Sequence, residues 1–161
     1  EEKDRTMQER LNYMKTQPEL IGAVLDLKKA VDKSGLDRGL IHLVNLRASQ
    51  INGCSYCVDM HTREARRDGE SEQRVHLVSA WRESPLFTER ERAALGWTER
   101  LTKISEGPVE DEDYENMLEY FSEPELVQLT VLVGLINVWN RIAIPFRSVH
   151  PVVPDSARNV A

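Results

Sequence analysis

The chain has 161 residues, of which 40% are hydrophobic and 30% charged, a balance that suits one globular domain with a real core and does not suit disorder. Its net charge is −6, its basic residues are scattered rather than gathered into a stripe, and only 6% of residues are aromatic, so nucleic acid is not an expected partner. The first ten residues are charged and polar, which fits neither a secretory signal nor a transit peptide.

In chain order, Pro18 stands near a helix start and leads into Leu20, Ile21, Val24, Leu27 and Val31, a helical stripe that stops at Ser34-Gly35. Asp37 is placed to cap a second helix carrying Leu40, Leu43 and Val44, with His42, Asn45 and Ser49 on a separate polar stripe. A third helix is predicted from about Cys54 to Asp68, ending at Gly69. Ser71 is placed to cap a short helix predicted through Trp81. Thr88-Glu89-Arg90-Glu91 reads as a capping box opening a longer helix with Ala94, Trp97, Thr98, Leu101 and Ile104 inward. An acidic helix follows from Glu110 to Tyr120, and the capping box Ser122-Glu123-Pro124-Glu125 starts an apolar helix through about Arg141.

The apolar run Leu126 to Trp139 reads as too short for a bilayer and as buried in the core or at a subunit interface. Pro145 and Pro151 are expected to close the regular structure, leaving the whole tail after Pro145, from Phe146 to Ala161, loose or docked on a neighbour. Without period-2 alternation or an obvious repeat, the fold class is all-α, a single-domain bundle of six or seven helices over residues 1–161.

The chemistry concentrates in Cys54-Ser55-Tyr56-Cys57 and His61, which include both cysteines of the chain. On a helix, positions 54, 57 and 61 share one face. Asn52-Gly53 is a turn signal that sets both thiols in or near a first helical turn, where free backbone N–H groups favour a thiolate. Lowering a thiol pKa from about 8.5 to about 6.5 raises the thiolate fraction at neutral pH from roughly 3% to roughly 75%. Two cysteines in one short motif, rather than spread as a framework, fit a reducing cytoplasm and a transient, functional disulfide.

Three readings stand at this point. In the redox reading one thiolate attacks an oxygen or sulfur centre, the other resolves the product to a disulfide, and the imidazole moves the proton. A structural zinc site could use Cys54, Cys57 and His61 with His42 or His76 as the fourth ligand, although this chain has apolar helices enough to fold without one. The third reading keeps two small buried cysteines with no chemistry. His76 and His150 read as structural or surface residues, and Trp81, Trp97 and Trp139 as core or interface anchors.

The stretch from Leu46 to Thr62 around this motif resembles the alkylhydroperoxidase D and carboxymuconolactone decarboxylase superfamily, in the branch that keeps Cys-x-x-Cys-x-x-x-His. The resemblance continues through Ala80-Trp81-Arg82, Phe87-Thr88-Glu89-Arg90-Glu91, Trp97-Thr98-Glu99 and Ile136 to Arg141, covering roughly residues 18 to 147. It implies the alkylhydroperoxidase D fold, no cofactor, assembly into a dimer, trimer or hexamer with terminal extensions at subunit interfaces, and a peroxidase acting on hydrogen or organic hydroperoxides in antioxidant defence. A thiol or dithiol would then return the electrons.

By that resemblance Cys57 attacks the peroxide and passes through a sulfenic acid, Cys54 resolves it, and His61 belongs to the proton relay. Twelve residues before the first cysteine the family usually has a relay glutamate, and this chain has His42. Three outcomes stay open: His42 takes over as a base near neutral pH, Glu99 reaches the site from another helix, or the activity is weak. A non-redox lyase that inherits the fold, with Glu99 or His42 in acid-base work, is the alternative to the peroxidase.

Overall fold

The computed structural model describes residues 7–153. Among these are eight α-helices, two 3-10 segments and no strand, so the all-α expectation holds. The helix count exceeds the predicted six or seven because a single turn, α1 (Tyr13–Thr16), precedes Pro18. Of the tail expected to be irregular after Pro145, Phe146 is still helical, 148–153 form no helix or strand, and 154–161 lie outside the described residues.

Helix α2 (Pro18–Asp32) begins on its proline, as predicted, and packs against the last helix of the chain. It lies at the edge of the bundle, so its apolar stripe is only half covered: Ile21 and Val31 are buried, whereas Leu20 and Leu27 face outward.

Helix α3 (Arg38–Asn52) is capped by the Asp37 side chain and is the centre of the molecule, in contact with three other long helices. Its apolar residues are therefore buried nearly all round: Leu40, Ile41, Leu43, Val44, Leu46 and Ala48. Helix α4 (Ser55–Arg67) carries the Cys-x-x-Cys motif and packs along α3.

The segment after Ser71 does not run to Trp81 as one helix. Helix α5 (Glu72–Leu77) gives way to a 3-10 segment over Val78–Glu83, because Ala80 leaves helical geometry (φ −122°) and turns Trp81 into the core. Helix α6 (Glu89–Thr102) opens on the Thr88/Glu91 capping box and α7 (Asp111–Tyr120) on Glu110/Asp113. A 3-10 turn over Ile104–Glu106 lies between them.

Helix α8 (Glu123–Phe146) is the largest departure from the sequence reading. It starts on the Ser122/Glu125 box but runs 24 residues, past Arg141 and over Pro145, so by length and composition it could cross a bilayer. The proline is tolerated because it sits in the last turn, where its missing N–H costs a single helical bond. Leu129, Leu132, Val133 and Ile136 are buried against the neighbouring helices, with α3 and α6 its main contacts. The opposite face, Val127, Val131 and Val138, is exposed.

Candidate functional site

The dithiol sits where α3 ends and α4 begins. Gly53 closes α3 in a left-handed conformation (φ +69°), which lets the chain reverse within one residue. Cys54 is the N-cap of α4, its Sγ accepting from the Cys57 backbone N–H at 3.3 Å, so both sulfurs lie in the first turn, where exposed N–H groups favour negative charge. Cys54 and Cys57 are joined as a disulfide, each 2% exposed and packed against Ala143 of α8.

One turn further along α4, His61 is also buried. Its Nδ1 donates to Glu64 Oε2 at 3.1 Å, and its Nε2 has no hydrogen-bond partner among the described residues. The His61 hydrogen bond holds the Glu64 carboxyl below the ordinary carboxylate range against the opposing effect of burial.

His61 and Glu64 line a cavity of about 300 Å³ between α2, α4 and α8. Leu25, Val31, Met60, Leu132, Ile136 and Trp139 make its wall apolar, and Lys28, Asp32 and Asn45 add polar groups. Tyr56 borders this cavity and also a second one of about 310 Å³, which Cys54 lines together with Arg10 and Arg147. The dithiol turn thus separates two concave regions.

The polar stripe on α3 is engaged residue by residue. Ser49 Oγ accepts from Asn140 Nδ2 at 3.1 Å, and Asn52 Nδ2 donates to Asn140 Oδ1 at 2.8 Å and to Asn137 Oδ1 at 2.9 Å. These bonds tie the end of α3 to α8 immediately before Cys54. Asn45 lines the His61 cavity.

His42, on the same stripe, is 7% exposed and donates from Nε2 to Asp68 Oδ2 at 2.7 Å, beyond the far end of α4. It does not line either cavity beside the dithiol. Arg38, and then His42, hydrogen-bond the Asp68 carboxylate and hold it below the ordinary range.

Glu99 is further removed. It accepts from Arg47 Nε at 2.8 Å, Trp81 Nε1 at 2.8 Å and Arg82 Nη2 at 2.6 Å, and it lines an open groove beside α6 and α7. His76 is exposed on α5, and His150 bonds to the Pro151 carbonyl. No group of three or more His, Cys, Asp or Glu side chains is arranged to hold a metal ion among the described residues. The sequence reading did not single out Glu64. Its only sequence signal is its place three residues after His61, on the same helix.

Residues 18–100 match the carboxymuconolactone decarboxylase family. The chain is 38% identical over 138 residues to the uncharacterized protein YdfG of Bacillus subtilis, a match that covers 86% of this chain and 94% of YdfG. It is 53% identical to a crystal structure from Agrobacterium tumefaciens, a protein of unknown function suggested there to be the antioxidant defence protein AhpD; the TM-score is 0.88, covering 91% of this chain and all of that one. A more distant structure, the debrominase Bmp8 in complex with 2,3,4-tribromopyrrole, shares the fold at 21% identity and a TM-score of 0.75, over 91% of this chain and 78% of Bmp8. The chain belongs to the carboxymuconolactone decarboxylase family, in the alkylhydroperoxidase D-like branch that keeps Cys-x-x-Cys-x-x-x-His.

Proposed function

We propose that the protein is a thiol-dependent peroxidase that reduces hydrogen or organic hydroperoxides through a Cys54/Cys57 dithiol-disulfide cycle, in antioxidant defence. The observation that carries this reading is the buried Cys54–Cys57 disulfide at the first turn of α4, with His61 one turn away and one of its ring nitrogens unpartnered among the described residues. The AhpD suggestion attached to the 53% identical structure agrees with it.

The Cys57 thiolate attacks the terminal peroxide oxygen, forming an S–O bond as the O–O bond breaks, and the departing alkoxide takes one proton to become an alcohol. Cys54 then attacks the sulfenic sulfur, water leaves and the disulfide forms. A thiol or dithiol reductant returns the two electrons by exchange through a mixed disulfide. The apolar wall of the His61 cavity favours a hydroperoxide with a hydrocarbon body. A homo-oligomer in the cytoplasm completes the proposal, with the exposed Val127, Val131 and Val138 face of α8 available for burial between subunits.

Cumene hydroperoxide turnover, with dithiothreitol as the dithiol, tests the cycle. Cys57→Ser is expected to abolish turnover, and Cys54→Ser to leave a sulfenic acid at Cys57 that a dimedone probe traps. Full turnover in Cys57→Ser, or in the variant lacking both cysteines, would instead favour acid-base chemistry of the lyase kind.

A further inference from the structure

The two ring nitrogens of His61 have unlike surroundings. Nδ1 is hydrogen-bonded to Glu64 Oε2 at 3.1 Å, whereas Nε2 is buried and unpartnered among the described residues. The residue is 4% exposed, so bulk solvent hardly reaches the ring. A buried polar atom without a partner is destabilising, and such atoms persist where chemistry uses them.

An ionised carboxylate only accepts, so a neutral imidazole bonded to it carries its proton on Nδ1 and its lone pair on Nε2. Cys57 lies four residues back on the same face of α4.

We propose that Glu64 is a positioning residue for the dithiol: its carboxylate holds His61 in the Nδ1–H tautomer, so that Nε2 takes the proton of the Cys57 thiol. This rests on the reading of Cys57 as nucleophile. The proton passes from sulfur to Nε2, the thiolate forms the S–O bond as the O–O bond breaks, and Nε2 returns the proton to the alkoxide. Sulfur is oxidised by two electrons and the peroxide is reduced by two. Nucleophile, base and orienting acid are then consecutive members of one helix face.

The neighbours of Glu64 are compatible with an ionised carboxylate. Lys28 and Asp32 come from α2, Arg38 and His42 from α3, and Asp68 follows the end of α4. Lys28 bonds to Asp32 at 2.6 Å, and His42 and Arg38 share Asp68, so all three bond to an acidic group other than Glu64. Glu64 bonds to His61 rather than to any of these groups, and the Lys28 charge favours its ionised form.

The test is the ¹⁵N NMR spectrum of the His61 ring in reduced wild-type protein and in Glu64→Gln, with the iodoacetamide alkylation rate of Cys57 followed across pH by mass spectrometry. The wild type is expected to show protonated Nδ1 and bare Nε2. Glu64→Gln, whose amide can also donate, is expected to lose that preference and to slow alkylation at neutral pH about tenfold or more, with Glu64→Asp restoring part of the rate. A wild-type proton on Nε2 overturns the proposal even if the variant does not fold, and so does an unchanged tautomer and pH profile in folded Glu64→Gln. If tautomer and alkylation respond but hydroperoxide leaves the thiols reduced, the peroxidase reading fails and the positioning role of Glu64 is upheld.

Discussion

Glu99 accepts hydrogen bonds from Arg47, Trp81 and Arg82, and its side chain is 18% exposed. Burial pushes its carboxyl up, and the three donors more than reverse this, leaving it below the ordinary value of 4.5. Because the folded-state value is the lower one, the unfolded chain takes up this proton first as the pH falls. The stabilisation is therefore complete above about pH 4.5 and is lost as the pH drops through the folded-state value. Urea unfolding of the oxidised protein between pH 7 and pH 3 should show stability falling over that acid window. Glu99→Gln should lower stability at pH 7 by about 2 kcal/mol and flatten the slope, since a charged acceptor is lost from Arg47 and Arg82. A slope identical to wild type would contradict this assignment. The partners of Glu99 lie 52, 18 and 17 residues away in sequence, which is why the sequence could suggest a base at this position but not its engagement in a structural cluster. The same holds for His42, whose partner Asp68 is 26 residues distant. Local relations were readable in part: Cys57 and His61, four residues apart, share a buried face of α4, whereas Cys54 stands just outside the helix as its N-cap.

Where helices meet, the α3–α4 joint is held by side chains from α8. Asn140 is wholly buried and bonds to both Ser49 and Asn52, so one residue fastens the C-terminal turn of α3 just before the dithiol. Asn140→Ala is expected to destabilise the fold by about 3 kcal/mol, through lost volume and two polar groups left without their partner. Chemical denaturation measures this, and a loss under about 1 kcal/mol would show that the joint is held otherwise. Helix starts were legible because capping is local chemistry: Pro18, Asp37, Thr88 and Ser122 each open a helix. Helix ends were less so. Past Arg141, α8 continues because burial of Ala143 rewards the extra turn despite Pro145, and after Leu77 the chain tightens into a 3-10 segment to seat Trp81. Both outcomes depend on tertiary contacts that composition does not display.

Among the described residues, α3 forms a central post, α8 ties it to α2, α6 and α7, and the dithiol turn lies at the end of the post between two concave regions. The all-α class followed from periodicity and caps, whereas the cavity did not, since its wall combines Leu25 of α2, Met60 of α4 and Ile136 of α8. The peroxidase reading makes the present disulfide the oxidised half of a cycle, and this is tested most directly on fully reduced protein treated with one equivalent of cumene hydroperoxide, followed by intact mass, thiol count and residual peroxide. The account predicts rapid loss of two thiols and two hydrogens per chain, a Cys54–Cys57 disulfide, and one peroxide consumed. Thiols that stay reduced while the peroxide persists would contradict it.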